Sequence, residues 1–219
     1  VMWFLVLLSI VTLVISVERY LFLTMNKGDV SAVQVALNRL MASGKVEDAK
    51  ELLKGEKGMA AKVVGEGIES FERGRYATEE IMAGVTKAER VRYERGLAFL
   101  GTMGNNAPFV GLFGTVLEII RSLHILSEKS GVGAGAVMSS LSEALAATAI
   151  GLLVALPAVA AHNYFQRRIK IYATEADALG NILLAYAGEL EGKAERGDGP
   201  PPKPGTPTIG AKAPAPAGG

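Results

Sequence analysis

The chain has 219 residues, of which 49% are hydrophobic, 6% are aromatic and 26 are glycine, and its formal net charge is +1. This near-neutral charge gives no indication of a polyanion-binding surface, and the absence of cysteine excludes disulfides and thiolate metal sites. The apolar residues lie in continuous blocks with few aromatics, which indicates a membrane protein rather than a soluble domain.

The first block, MWFLVLLSIVTLVISV from Met2 to Val17, carries no charge and approaches the roughly 20 apolar residues that cross a bilayer. We predict a first transmembrane helix over residues 1–20. A cleaved signal peptide is the alternative, but the block has neither a basic leader nor a small-residue cleavage site. Because Val1 stands at the edge of the block, we expect the natural start to lie upstream.

Residues 21–96 are predicted to form a cytoplasmic helical region, with breaks near Gly44, residues 55–58 and Gly74. Ser31 and Thr78 are the expected N-caps. From Thr78 to about Leu126, Pro108 is the only strong helix breaker that we identify. This predicts one helix on the order of 70 Å long, which carries the second span, at 97–127, out of the membrane.

The rest of the chain is predicted to comprise a short periplasmic loop at 128–142, a third span at 143–165 and a cytoplasmic helical extension at 166–196. The tail at 197–219 holds seven of the nine prolines and is expected to be disordered. The prolines inside spans two and three are tolerated in membrane helices. The predicted fold class is an all-α membrane protein with three transmembrane helices, in which spans two and three extend into the cytoplasm as long helices.

Basic residues predict the orientation. Residues 18–96 hold 14 Lys and Arg and the part after Phe165 holds seven, whereas the link between spans two and three has only Lys129. Since basic segments stay on the inner side, the large loop and the C-terminus are expected to be cytoplasmic and the N-terminus periplasmic.

The composition of the spans predicts how they pack. Span one is mostly Leu, Val and Ile, which is typical of a helix that faces lipid. Spans two and three are rich in small residues, which let helix backbones approach closely. We therefore expect these two spans to form an inner, tightly packed layer around the following residues: Gly101, Gly104, Gly111, Gly114, Ala144, Ala146, Ala147, Gly151 and Ala155.

No nucleotide-binding loop, nucleophile elbow or metal-ligand cluster stands in the sequence, so we expect neither an enzyme nor a cofactor. His124 and His162 lie near span ends and are interpreted as interface residues without a special task, with a proton relay as the alternative. A carboxylate at the bilayer centre costs about 2.5–3.5 kcal/mol, so polar groups inside spans usually face a bundle interior or a water path. Such groups are Thr115 in span two, Glu143 at the start of span three, and Thr148 roughly 7.5 Å deeper along that helix.

By themselves these residues leave two interpretations open. A threonine hydroxyl can assist a carboxylate or hold water, but it can equally bond to a carbonyl of its own helix. Glu143 can belong to a proton path or be an acid at the membrane interface. Spacing alone does not decide between these roles.

Two segments carry a family resemblance: NAPFVGLFGTV (Asn106 to Val116) and SEALAATAIGLLVALPAV (Ser142 to Val159). Together they resemble the TolQ/ExbB proton-channel family and, more distantly, MotA, with a compatible first span ending in Glu18-Arg19. The resemblance implies a homopentamer in the bacterial inner membrane around two copies of a single-span TolR/ExbD-like partner that carries a membrane aspartate.

By the same resemblance, Thr115 and Thr148 match pore-facing threonines and Glu143 matches an acid of the third span. The implied function is that of a proton-conducting ring subunit that uses the proton motive force, with protons as the coupling ion and no other cofactor. Relatives power import across the outer membrane, envelope constriction or gliding, and the sequence does not choose among them.

One position departs from the family pattern. Glu118 stands where relatives commonly have glycine, and Arg121 follows it at i+3, a spacing that allows an ion pair. We interpret the two as an ion pair between helices or subunits, with a tuned charge at the mouth of the pathway as the alternative.

Two other classes of protein are the alternatives. A solute transporter predicts internal repeats and a polar midplane pocket, which three unlike spans do not supply. A structural membrane scaffold explains the small-residue packing, yet it gives no reason for in-span threonines beside an acid.

Overall fold

The computed structural model describes residues 2–128 and 134–196, and the predicted tail at 197–219 lies outside the described residues. The described ranges contain seven α-helices and no strand: α1 Met2–Met25, α2 Val30–Ala42, α3 Val46–Gly55, α4 Met59–Glu69, α5 Arg75–Tyr93, α6 Leu97–Glu128 and α7 Ala134–Glu195, with a 3₁₀ turn at Phe71–Arg73. Three helices, α1, α6 and α7, contain stretches long and apolar enough to cross a membrane. The prediction of an all-α protein with three transmembrane helices is confirmed.

The chain forms two compact units. The first, the spanning unit, comprises Val1–Gly28, Lys57–Met59 and Lys87–Glu175; the second, the short-helix unit, comprises Asp29–Glu56, Ala60–Thr86 and the chain from Ala176 on. The 62 residues of α7 contribute to both, which confirms the prediction that the third span continues as a long helix.

The short-helix unit is built around large aliphatic side chains. Leu37, Val64 and Leu183 are fully buried in it. Glu191 near the end of α7 stabilises the start of α5, because its Oε1 accepts a hydrogen bond of 2.7 Å from the Arg75 backbone N–H. An acceptor at this place satisfies one of the helix's free N–H groups and complements the positive end of its dipole.

The predicted helix breaks in this region are confirmed, whereas the predicted N-caps are wrong. Gly44, Gly58 and Gly74 adopt positive φ angles of 71°, 103° and 93°. Asp29, not Ser31, caps α2, and its side chain accepts from Ala32 N. Thr78 lies inside α5, where its buried hydroxyl donates to the Gly74 carbonyl instead of accepting an N–H bond.

A single helix from Thr78 to Leu126 is also wrong. Helix α5 ends at Tyr93 and α6 begins at Leu97, with a turn between them. Gly96 in this turn has φ of 80°, a conformation that glycine adopts without steric cost. A Cβ at Gly96 would also lie 3.2 Å from Ile15 Cγ2 of α1, so the close approach of α1 favours glycine there as well.

The link between spans two and three is shorter than predicted. Residues 134–142 already belong to α7, so only the first part of the predicted loop at 128–142 lies outside a described helix.

Candidate functional site

Helices α6 and α7 run antiparallel and cross at very short range. A Cβ at Gly104 would lie 2.5 Å from Val159 Cγ2, and one at Gly111 would lie 3.0 Å from both the Ala147 carbonyl oxygen and the Thr148 Cα. From the other side, a Cβ at Gly151 would lie 2.8 Å from the Ala107 carbonyl oxygen. The predicted close packing of spans two and three is confirmed, and it depends on the absence of side chains at these glycines.

His162 holds one end of this crossing. Its Nδ1 lies 2.9 Å from the Leu97 carbonyl oxygen at the start of α6, and since a carbonyl can only accept, Nδ1 carries the proton. The ring lies over Gly101, where a Cβ would come within 3.0 Å of it. His162 therefore links the third span to the start of α6.

Thr148 lies in the crossing with its hydroxyl unsatisfied. Its Oγ1 is buried and has no hydrogen-bond partner in the part of the chain that the structure describes. A bond to its own helix, the bland alternative for this threonine, is therefore not made. Leaving a buried polar group without a partner costs about 1–3 kcal/mol, so this hydroxyl keeps its full capacity to donate and accept at a price in stability.

Thr115 differs from Thr148. It is 9% exposed, and its Oγ1 donates to the Leu112 carbonyl at 2.7 Å, which is the bond back to its own helix. This bond uses the hydroxyl proton but leaves acceptor capacity on the oxygen. Thr115 lies one turn beyond Gly111 on α6, on the face that packs against α7.

Glu143 lies apart from the two threonines. Its side chain is exposed, and five residues along a helix correspond to about 140° of rotation from Thr148. The structure thus brings Thr115 and Thr148 to one helix crossing and leaves Glu143 on another side of α7. A proton-path role for all three residues stays a prediction.

The Glu118 and Arg121 side chains are not paired with each other. Glu118 is half-buried and Arg121 is exposed, and within the described residues no ion pair joins them. Both lie on α6, where the Glu118 carbonyl instead accepts a 2.7 Å bond from Ser122 Oγ. An ion pair within one chain is not formed; a pair between subunits is untested.

Sequence reasoning missed two features. One is Ser122, which is only 3% exposed and lies two turns from Thr115 on the same face of α6; its i+7 spacing from Thr115 was the available signal. The other is an aromatic cluster at the end of α1, where the Tyr93 ring meets Phe22 at 5.1 Å and Tyr172 at 6.1 Å between centroids. Burial raises the pKa of Tyr93 to about 12.

A buried arginine belongs to the same cluster. Arg19 forms an ion pair with Glu18, and its guanidinium lies 4.7 Å from the centre of the Phe22 ring, a cation–π distance. Residues 18 and 19, predicted to mark the end of the first span, lie inside α1, which continues to Met25. This cluster joins the end of α1 to α5 and α7.

Among the described residues, no group of three or more His, Cys, Asp and Glu side chains is placed to hold a metal ion.

Comparison with known proteins places these groups in a family context. Residues 55–178 match the model of the MotA/TolQ/ExbB proton channel family. The biopolymer transport protein ExbB of Neisseria gonorrhoeae is 31% identical over 172 residues, which cover 77% of this chain and 74% of that protein. ExbB of Pseudomonas putida is 32% identical over 165 residues, 70% of this chain and 50% of that protein.

A shorter match with higher identity is found with the ExbB of Salmonella typhimurium, which is 42% identical over 98 residues, 44% of this chain and 40% of that protein. The residues matched by the family model include both threonines of the helix crossing, Glu143 and the Glu118–Ser122 segment.

Proposed function

The chain belongs to the MotA/TolQ/ExbB proton channel family, and on that premise we propose that it is the proton-conducting ring subunit of an inner-membrane motor. The motor uses the proton motive force to do mechanical work on the cell envelope. The observation that carries this proposal is the buried, unpartnered hydroxyl of Thr148 at the α6–α7 crossing. A stable scaffold gains nothing from such a group, whereas a proton path needs one.

The proposed assembly follows the family resemblance. Five copies surround two copies of a single-span TolR/ExbD-like protein, whose membrane aspartate accepts the proton. The N-terminus faces the periplasm and the C-terminus the cytoplasm, as the distribution of basic residues predicts. The close α6–α7 crossing supports a stiff two-helix element that holds its shape while the partner helix moves past it.

In the proposed mechanism a proton enters near Glu143, passes the Thr148 and Thr115 hydroxyls and reaches the partner's aspartate. Each unit charge that crosses 100 mV releases about 2.3 kcal/mol. Alternating protonation of the aspartate changes which ring position it prefers, so the partner helices rotate or rock relative to the ring. The partner's periplasmic part then transmits the work, and the process it powers is import, envelope constriction or gliding.

The test replaces Thr148 by valine. Valine has nearly the shape of threonine, and removal of an unpartnered hydroxyl does not destabilise the crossing, so a loss of activity reports on conduction rather than on folding. In cells that make the full chain with its single-span partner, we expect the proton entry that follows an acid pulse to fall by about 10²-fold. Entry is measured with a cytoplasmic pH reporter.

Thr174→Val is the matched control, since Thr174 lies on the same helix outside the span and is exposed, with its hydroxyl bonded to the Lys170 carbonyl. Glu143→Gln is tested in parallel and is expected to slow proton entry. Undiminished entry in both Thr148→Val and Glu143→Gln would contradict the proposed path and favour a structural scaffold. Co-purification of a small single-span protein with one membrane aspartate separates the motor from both a scaffold and a solute transporter.

A further inference from the structure

Helix α6 carries an acid between two buried hydroxyl residues. Thr115, Glu118 and Ser122 are spaced i, i+3 and i+7, which places them along one stripe of the helix. Thr115 and Ser122 are 9% and 3% exposed, and Glu118 between them is half-buried. The stripe continues the face that contains Gly104 and Gly111, which packs against α7.

The hydrogen bonds within the stripe leave its two hydroxyl oxygens able to accept a hydrogen bond from a protonated Glu118 carboxyl group. Thr115 Oγ1 donates to the Leu112 carbonyl and Ser122 Oγ donates to the Glu118 carbonyl, each at 2.7 Å. Both hydroxyl protons are used, so both oxygens keep lone pairs as acceptors. The Glu118 carboxyl group has no hydrogen bond or ion pair to any of the described residues.

Few charged groups of the spanning helices are placed to neutralise Glu118. On α6 the neighbours are Arg121, whose side chain is exposed, and His124. On α7 the ionisable groups before Phe165 are Glu143, His162 and Tyr164, and α1 has none between Met2 and Val17. An acid in an apolar span without a fixed cation is tolerated when it can take up a proton. Intramembrane carboxylates with this character mark ion pathways.

We infer that Glu118 is a proton-binding carboxyl group that this chain itself contributes, in addition to the acid of the partner. The inference rests on the proposed function. The Glu118 carboxylate takes one proton from outer water and becomes a neutral carboxylic acid. Its O–H then donates a hydrogen bond toward Thr115 Oγ1, about 4.5 Å further along the helix axis. When the proton leaves for the partner's acid, the Glu118 carboxylate is restored.

Ser122 is a positioning residue in this arrangement. Its bond to the Glu118 carbonyl fixes the backbone turn from which the acid projects, and its buried side chain keeps that side of the stripe polar. The ring is then an active participant in proton uptake rather than a passive surround. In this inference Glu118 is a specific protonation site rather than one half of an ion pair.

Labelling with dicyclohexylcarbodiimide tests the site without requiring motor activity, because this apolar reagent modifies protonated carboxyl groups in membranes. Membranes containing the full chain are treated across a pH series, and modified peptides are identified by mass spectrometry. We expect Glu118 to be labelled, with labelling that declines as pH rises, while the exposed Glu191 of the short-helix unit stays unlabelled. Absence of label at Glu118 at every pH would overturn the inference.

Variants test the role in conduction. Glu118→Gln is expected to slow proton entry by about 10²-fold, and Glu118→Asp to restore much of it, because it keeps an acid at the same place. Ser122→Ala is expected to slow entry less, and Ser122→Thr to restore it by returning the hydroxyl. The amount of protein in the membrane is measured for each variant. If Glu118→Gln does not accumulate, carbodiimide labelling of the wild-type protein decides whether Glu118 binds a proton.

Arg121 separates this inference from an ion pair between subunits. For a protonation site, Arg121→Gln changes proton entry far less than Glu118→Gln does, and the exchange Glu118→Arg with Arg121→Glu stays inactive. For an ion pair, both single variants lose entry equally and the exchange restores it, which would overturn the inference. Full proton entry in Thr148→Val together with loss of entry in Glu118→Gln would contradict the threonine path but support the carboxyl site. Absence of proton entry in the wild-type protein would contradict the proposed function itself.

Discussion

The α6–α7 crossing and the interior of the short-helix unit are packed in opposite ways. The crossing brings two backbones together through Gly104, Gly111 and Gly151, at points where a single Cβ would meet a neighbour at 2.5–3.0 Å. The short-helix unit instead buries large side chains such as Leu37, Val64 and Leu183. In each region the size of the buried side chains suits the solvent that surrounds it.

The physical reason is the solvent on the outside. In water, burial of a leucine side chain removes apolar surface from solvent and gains about 1.5–3 kcal/mol. In lipid the surroundings are as apolar as leucine itself, so burial gains little and close van der Waals contact between backbones becomes the main attraction. The comparison therefore predicts that the two regions respond oppositely to changes in side-chain size.

The largest expected effect is that of deleting a large side chain from the short-helix unit. Leu183→Ala removes a side chain with 0% exposure and should lower the free energy of unfolding of this unit by about 2–5 kcal/mol. The matched control is Leu153→Ala on the same helix, whose side chain is 69% exposed within the apolar span and should change stability by less than about 0.5 kcal/mol.

Both variants are measured by denaturant titration of the purified protein in detergent micelles, with urea for the short-helix unit and dodecyl sulfate for the spans. Equal losses for the two leucines would mean that the spans gain as much from side-chain burial as the short-helix unit does, and the comparison would fail.

A smaller effect is expected from adding a methyl group at the crossing. Gly151→Ala places a Cβ 2.8 Å from the Ala107 carbonyl oxygen, which belongs to a backbone that cannot rotate away. Such overpacking should cost about 1–3 kcal/mol in the dodecyl sulfate titration. Gly135→Ala on the same helix is the control, since no atom lies within 4 Å of its added Cβ, and it should be neutral or stabilising. A Gly151→Ala protein as stable as wild type would show that the helices can separate at no cost.

The smallest expected effect is a pH dependence of stability at the aromatic cluster, where large side chains pack beside the spans. Burial raises the pKa of Tyr93 to about 12, from the usual value near 10. Since the neutral phenol is the form that is stabilised, its contribution is fully present below pH 10 and is lost as pH rises toward 12. Thermal melts across this range should show a decline that Tyr93→Phe removes. An identical decline in Tyr93→Phe would assign it to other groups.

The sequence predicted the close packing of spans two and three from the kinds of residue they contain, because small residues have one dominant use in a membrane bundle. Helix boundaries were predicted less well. Ser31 and Thr78 were sound N-cap residue types, yet Asp29 caps α2 and the Thr78 hydroxyl donates to Gly74. The helix break at Gly96 was not predicted, because Gly96 lies within a charged helical pattern. The contact that favours glycine there is made by Ile15, which is close in space but distant in sequence.

The candidate site shows the same division. Thr115 and Thr148 are alike as residues, and both were predicted to be polar groups inside spans. Only the packing of α6 on α7 decides that one bonds to its own helix and the other does not. The family resemblance assigned Glu143 to the same path as Thr148, but the five residues between them turn the Glu143 side chain to another side of α7.

By itself the sequence determined the number of spans, the long continuation of the third and the family to which the chain belongs, because hydrophobic length and local motifs are properties of consecutive residues. The tertiary structure alone decided that the Thr148 hydroxyl has no partner among the described residues and that α5 and α6 are separate helices. These features depend on atoms brought together from distant parts of the chain, whose distances no local pattern encodes.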